Sequence, residues 1–290
     1  MLVLLNKYEI FLKTAEIGNI TRTAEALHYT QAGISHAIAA LEKETGFPLF
    51  IRSSSGVSLT EDGRRLLGAV QGLVNEQNNL QQTINDINGI TSGTLRIGTF
   101  SSVATHWMPE IIKEFQKKYP QITFDLRFGD YDEIADMILR GQIDCGFLTA
   151  PVREGIAFTP IYEDPMNVLL PQGHPLAAKK SISLDEVKRE PLIMQMKGSD
   201  NDMQNILQQN KKKYTVKYVV NDDFAVMAMV KSGFGITVLP EMVWSNYKAC
   251  DTLEIRPMEP EEYRNIGIAA LPAEETSVLA KVFLKFMRSR

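Results

Sequence analysis

Ile20-Thr-Arg-Thr-Ala-Glu-Ala-Leu27-His-Tyr-Thr30-Gln-Ala-Gly-Ile-Ser35-His-Ala-Ile-Ala-Ala-Leu41-Glu42, continued by Gly46-Phe-Pro-Leu-Phe50-Ile-Arg52 and Val57-Ser-Leu-Thr60, is the stretch that decides the fold. It reads as a helix, a three-residue turn, a second helix and a short hairpin. Thr21 is placed to cap the first of these helices and Thr30 the second. In the second, Ile34, Ile38 and Leu41 form one apolar stripe, which turns Ala32, Ser35, His36 and Ala39 outward and leaves Gln31 at the exposed tip. Leu49–Arg52 and Val57–Leu59 alternate as strands around a Ser53-Ser-Ser-Gly56 turn. This is the layout of a winged helix-turn-helix, which sets one helix in the DNA major groove.

Upstream, Tyr8, Phe11, Leu12 and Ala15 lie on one face of a helix that Gly18-Asn19 ends. Downstream, Thr60 caps a long helix with Glu61 and Asp62 in its first turn, where acids suit the dipole. Leu66, Val70, Leu73, Gln77, Leu80, Ile84 and Ile87 then repeat at 4-3-4-3-4-3 spacing, a narrow coiled-coil seam suited to a dimer. The competing reading is a helix packed only on its own domain. Gly89-Ile-Thr-Ser-Gly93 reads as a hinge.

Beyond the hinge, strands and helices alternate. Strands are expected at 94–99, 122–128, 145–149, 166–171, 192–196, 216–220, 236–239 and 266–271. Helices are expected at 102–119, 131–140, 203–210, 224–231, 240–247 and 275–288. That order predicts an α/β sandwich with mostly parallel sheets.

The bulk composition narrows the function. A chain of 290 residues with 44% apolar content suggests two or three compact units. No run of about 18 uncharged apolar residues suggests a membrane span, and Met1-Leu-Val-Leu-Leu5 is too short for an export signal. Cys145 and Cys250 are far apart and argue against a disulfide framework or zinc site. The expected compartment is the cytoplasm. Four scattered histidines, no metal-ligand spacing, no G-x-S-x-G and no phosphate loop argue against an enzyme, and no cofactor is expected. The net charge is −4. Over residues 1–65, seven basic residues balance seven acids, so the expected phosphate contribution to DNA binding is modest.

The chain resembles the LysR-type transcriptional regulators. The match is carried by Thr23-Ala24-Glu-Ala-Leu27, Gln31-Ala-Gly-Ile-Ser35, Leu41-Glu42, Leu49-Phe50-Ile-Arg52, Leu59-Thr60-Glu-Asp-Gly63, Gly93-Thr-Leu-Arg-Ile-Gly98, Gly141-Gln-Ile-Asp144, His174-Pro-Leu176 and Val230-Lys-Ser-Gly-Phe-Gly-Ile236. The resemblance implies a winged helix-turn-helix over 1–60 (helix-turn-helix about 20–39), a linker and dimerisation helix over 61–90, and an effector-binding domain over 91–290. That domain would be two-lobed, like a type 2 periplasmic binding protein, with crossing strands near Asp164–Val168 and Arg264–Ile268. Lobe I would hold 92–165 and 268–290, and lobe II 166–267. Double-stranded DNA, a small organic effector and a homodimer, further paired into a tetramer, are the partners it implies.

On DNA, the resemblance carries over Gln31, Ala32, Ser35 and His36 on the recognition helix and Arg52 at the wing. Gln pairs bidentately with adenine, and a small Ala can touch a thymine methyl. Thr21, Arg22 and Thr30 are candidate phosphate contacts. Ala32 stands where the family often has Pro, and Gly33 where it commonly has a larger residue. For the effector, Ser101 and Ser102 follow the first strand of the domain and open a helix. Thr149, Gln195, Ser199, Phe224 and Thr237 are the further candidates. Asp200, Asp202, Asp222 and Asp223 read best as helix caps; lining a cleft, they would favour an amine-bearing or neutral ligand. The alternatives are a thiol redox-sensing regulator of the same architecture and a non-regulatory solute-binding protein.

Overall fold

The computed structural model describes residues 6–53, 56–87, 92–195, 201–208, 213–245 and 252–289. The chain divides into two compact units: one running from the N-terminus to Gly93 with Arg140–Gln142 and Ser277–Leu279, the other made of the remaining residues.

The first unit opens with α1 (Asn6–Ile17), α2 (Ile20–Leu27) and α3 (Gln31–Thr45). Ile10, Phe11, Ala24, Ile34, Ile38, Leu41 and Leu49 are buried in one cluster, the stripe expected from the sequence. Thr30 caps α3 by accepting from the Gly33 amide at 3.0 Å. The cap of α2 is Asn19, which accepts from the Arg22 amide at 3.0 Å, so Thr21 is not the cap but an exposed first-turn residue. Asn19 takes that role because its extended backbone directly precedes the helix. His28 opens the turn between α2 and α3 in the left-handed region (φ 56°).

β1 (Phe50–Ser53) and β2 (Gly56–Leu59) pair antiparallel as the wing, Phe50 opposite Leu59. α4 (Glu61–Ile87) follows, capped by Thr60, whose hydroxyl accepts from the Gly63 amide at 2.9 Å and donates to the Pro48 carbonyl at 2.8 Å. A Cβ on Gly63 would lie 2.4 Å from the Leu49 carbonyl oxygen, so this close approach of helix to wing requires glycine. Along the expected seam, Leu66 and Val70 pack into the winged-domain core, whereas Leu73 and Leu80 stand 45% and 52% exposed. The side chain of Ile87 and residues 89–91 of the expected hinge lie outside the described residues.

The second unit contains two lobes strung on one sheet path. β3 (Gly93–Thr99), β4 (Ile122–Phe128), β5 (Cys145–Thr149) and β12 (Tyr263–Ala270) run in the order β4-β3-β5-β12, and β12 pairs with the first half of β6 (Ala157–Pro171). Phe115, Phe124, Phe283 and Phe286 stack edge to face among α6 (Met108–Lys118), β4 and α12 (Val278–Arg288), locking lobe I. From Met166 onward β6 changes partners to β10 (Thr237–Pro240) and β11 (Leu253–Glu259), which belong to lobe II. β8 (Pro191–Gln195) and β9 (Thr215–Val220) pair in parallel beside them, and β7 (Ile182–Ser183) closes the far edge against β11.

The expectation of mostly parallel sheets is corrected to mixed ones: β3–β5, β8–β9 and β7–β11 are parallel, but β12 is antiparallel to both β5 and β6, and β6 to β10 and β11. Alternation of strands and helices does not register a strand that returns from a distant part of the chain. The single helix expected over 102–119 is two: α5 (Ser101–His106) and α6, divided at Trp107. Pro109, in the first turn of α6, lacks the N–H needed to continue the ladder.

Candidate functional sites

Two surfaces carry the candidate residues. On the winged unit, Gln31, Ala32, His36 and Ala39 are exposed along one side of α3 and Ser35 is half-buried, while Ile34, Ile38 and Leu41 are buried on the other. Thr21, Arg22, Thr30 and Arg52 are also exposed. Among the described residues no ion pair engages the guanidinium of Arg22 or Arg52, so both charges are available to an anion. A further residue organises this surface without having been read as functional: the Glu42 carboxylate accepts from the Leu49 and Phe50 amides at 2.8 and 3.3 Å, tying the end of α3 to the start of the wing.

In the second unit a cleft of about 470 Å³ opens between the lobes. Lobe I contributes Phe100, Ser101, Ser102 and Phe128 to Tyr131 with Glu133. Lobe II contributes Gln195, Asp202, Asn221 to Asp223, Pro240 and Val243, and Arg264 of β12 lies at its base. Tyr131 begins α7 (Tyr131–Leu139), Asp202 lies in α9 (Asn201–Gln208), and Asp223 begins α10 (Asp223–Lys231).

Arg264 is the hub. Its Nε donates to Asp164 at 3.1 Å, its Nη2 donates to Asp164 and to Ser102 Oγ (3.1 Å), and its Nη1 donates to the Tyr131 hydroxyl at 3.0 Å. Tyr131 in turn donates to Asp202 across the cleft at 2.9 Å. The other Asp164 oxygen accepts from the Met242 amide of α11 (Glu241–Trp244) at 3.1 Å. The guanidinium lies 5.2 Å from the centre of the Phe100 ring. Burial works against the charge on Arg264, but Tyr131, Asp164 and Asp202 more than offset it and raise its pKa. Burial likewise raises Tyr131 well above the usual phenol value and raises Asp202, the latter opposed by Arg264. Asp223 is pushed up to about 6 by burial, with Arg264 opposing and Asp222 reinforcing.

The effector candidates separate. Ser101 and Gln195 line the cleft. Ser102 lines it too, but it is buried and holds Arg264. Ser199 lies outside the described residues. Three candidates are not brought to this cleft. Thr149 ends β5 and lines a second cavity of about 220 Å³ with Tyr131, Pro151, Arg153 and Asn205. Thr237 is buried in lobe II with its hydroxyl 3.9 Å from the Met203 sulfur, because every residue of β10 is enclosed. Phe224 points to solvent while its neighbour Asp223 lines the cleft. Of the aspartates, Asp222 is indeed a cap, accepting from the Ala225 amide at 2.8 Å. Asp202 and Asp223 line the cleft instead, and Asp200 lies outside the described residues. Tyr131 was not singled out from the sequence, and Asp164 and Arg264 were placed only at the expected crossings, where each is a charge beside an apolar run.

Cys145 is fully buried in β5, and burial raises its thiol well above the usual range; Cys250 lies outside the described residues. No helix among the described residues is long and apolar enough to cross a membrane.

A helix-turn-helix head with a wing, followed by a two-lobed cleft domain, defines a one-component regulator in which one chain carries both the DNA-reading and the ligand-binding parts. The bacterial regulatory helix-turn-helix model of the lysR family matches residues 5–64, and the LysR substrate binding domain model matches residues 88–290. The chain therefore belongs to the LysR family of transcriptional regulators. It is 30% identical over 285 residues to the uncharacterized HTH-type transcriptional regulator YvbU of Bacillus subtilis, covering 98% of this chain and 97% of that one. It is 31% identical over 238 residues to the HTH-type transcriptional activator CmpR of Synechocystis, covering 81% and 78%. In fold it is similar to a full-length point variant of OxyR from Pseudomonas aeruginosa, with a TM-score of 0.77, 24% identity, and 99% and 95% of the two chains covered.

Proposed function

We propose that this LysR-family regulator reads an operator with Gln31, Ala32, Ser35 and His36, and is held on the phosphates by Arg52, Thr21, Arg22 and Thr30. The observation that carries this reading is the segregation on α3, where the buried stripe leaves those side chains on the outer face. Residues 1–60 are the DNA-binding domain and 61–90 the linker helix. Residues 91–290 are the effector domain, with lobes over 92–165 plus 268–290 and 166–267. The effector sits in the cleft lined by Ser101, Gln195, Asp202 and Asp223. Two chains pair through the linker helix, where Leu73 and Leu80 offer apolar surface, and dimers pair into a tetramer. The protein works in the cytoplasm, without a catalytic step or cofactor. The thiol-sensing alternative is disfavoured at Cys145, whose burial keeps it protonated and unreactive.

The test is operator selection with full-length protein, followed by affinity measurements on single-base variants. Arg52→Ala should weaken all sequences alike, because phosphate contacts carry no sequence information. Gln31→Ala and Ser35→Ala should change base preference, each reading contact being worth about 1–3 kcal/mol. Uniform scaling of every operator variant by Gln31→Ala and Ser35→Ala would refute the assigned roles.

A further inference from the structure

We propose that the cleft takes a small organic ligand carrying a cationic nitrogen, an ammonium or guanidinium, with Asp202 and Asp223 as its counter-ions. The inference rests on reading the cleft as the effector site and assigns the chemical class of that effector.

Among the described residues five carboxylates line the cleft: Asp130, Glu133, Asp202, Asp222 and Asp223. Three of them serve helix starts. Asp130 accepts from the Glu133 amide at 2.8 Å, Glu133 accepts from the Asp130 amide at 3.1 Å, and Asp222 caps α10. Asp202 and Asp223 remain. One Asp202 oxygen accepts from the Tyr131 hydroxyl at 2.9 Å. Asp223 Oδ1 is shut away from solvent and meets no hydrogen-bond donor among the described residues, a costly state that a ligand N–H would relieve.

Among the described residues the lining holds one cation, Arg264, and it is already committed. Asp164, fully buried beneath it, neutralises its charge, and its N–H groups point at Asp164, Ser102 and Tyr131. Among the described residues a carboxylate ligand would therefore find no uncommitted positive partner and two acids in the same lining. A cationic ligand would find two acids that form no ion pair among the described residues and feel Arg264 only through space. Among the described residues no group of three or more His, Cys, Asp and Glu is placed to hold a metal ion, and the volume of about 470 Å³ suits an organic molecule.

The pH dependence follows. Asp223, at about 6, acts against Asp222, which caps its helix, and Arg264 from β12, and it shares the cleft lining with Asp202 from α9 and with Asp130, Tyr131 and Glu133 at the start of α7. A bound cation favours its ionised form, so affinity for a cation should rise as pH rises through about 6.

The experiment uses full-length protein and three four-carbon probes that differ in charge, putrescine, 1,4-butanediol and succinate, together with agmatine. Binding is measured by calorimetry at about pH 7.5 and about pH 5.5. The expected result is that putrescine or agmatine binds at least about tenfold tighter than the diol at the higher pH. Several-fold of that preference should be lost at the lower pH, and most of it in Asp223→Asn and Asp202→Asn. Tryptophan fluorescence checks the fold of each variant, and the wild-type pH profile stands even where one variant fails to fold. Cations binding no tighter than the diol overturn the proposal. Succinate binding tightest, and losing affinity in Gln195→Ala, overturns the ligand class while leaving the cleft as the effector site. Cation binding that is indifferent to both aspartate variants places the ligand elsewhere and overturns both readings.

Discussion

Replacing Arg264 with methionine tests whether the hub holds the crossing strands together. The pair it forms with Asp164 is nearly inaccessible, with side-chain exposures of 3% and 0%. Arg264→Met keeps most of the side-chain volume and removes the charge. It leaves the Asp164 carboxylate buried with the Met242 amide as its remaining donor, and takes one hydrogen bond each from Ser102 and Tyr131. Breaking one side of a buried pair typically costs about 3–5 kcal/mol, because the surviving charge is desolvated without a partner. Removing both charges is far milder, so Arg264→Met/Asp164→Leu should recover about 2 kcal/mol or more relative to the sum of the single losses.

The protein contains an internal reporter for this test. Its two tryptophans, Trp107 and Trp244, both lie in the second unit. Urea unfolding followed by tryptophan fluorescence therefore reads the effector-binding part without signal from the winged head. A loss below about 1 kcal/mol for Arg264→Met, the size of an ordinary substitution, would refute the claim that the pair is structurally required. Strict additivity in the double variant would refute the claim that Asp164 is the residue left stranded.

Three further outcomes are expected. Asp223 has its folded-state pKa raised from 3.8 to about 6, so the stability associated with its protonation is complete below about pH 4 and is lost as pH rises through about 6. Asp223→Asn should therefore stabilise the effector part by up to about 3 kcal/mol at pH 8, with the advantage vanishing near pH 4; an advantage independent of pH would contradict this. Leu80→Asp should abolish dimerisation of a 1–90 fragment in sedimentation, since an unpartnered charge buried in a heptad seam costs several kcal/mol, and a variant that stays dimeric would move the interface elsewhere. Gly63→Ala should destabilise the winged head by about 1–3 kcal/mol in far-UV circular dichroism melts and weaken operator binding, because its Cβ would meet the Leu49 carbonyl at 2.4 Å; a neutral result would mean that α4 can shift freely against the wing.

The winged head was legible because its determinants are local. Thr30 and Thr60 cap helices whose amides lie three residues away, and the stripe of Ile34, Ile38 and Leu41 follows from helical periodicity. Its proposed reading face is found by exclusion: the side chains the core does not take are those presented outward. Even here a local ambiguity misled, since Asn19 and Thr21 are both good caps and only backbone geometry separates them.

The cleft is different because its determinants are partnerships across long separations. Arg264 meets Asp164, Tyr131 and Ser102, residues 100, 133 and 162 positions away. No periodicity relates them. β6 and β12 carry charges at the two points where the chain passes between lobes, and that placement was visible. Their pairing was not, because it depends on an antiparallel register of Arg264 opposite Asp164. The same cause explains the candidates that do not line this cleft. Thr149, Phe224 and Thr237 sit at plausible strand ends or helix starts, yet facing the cleft depends on which side of the strand or helix is covered. In β10 all four residues are enclosed, so strand alternation carried no information about Thr237. A binding face on a single helix can be inferred from what its core leaves out. In a cleft between lobes the informative quantity is charge balance, and it becomes countable only when Asp164 is seen neutralising Arg264 from below and the carboxylates of Asp202 and Asp223 are left facing the opening.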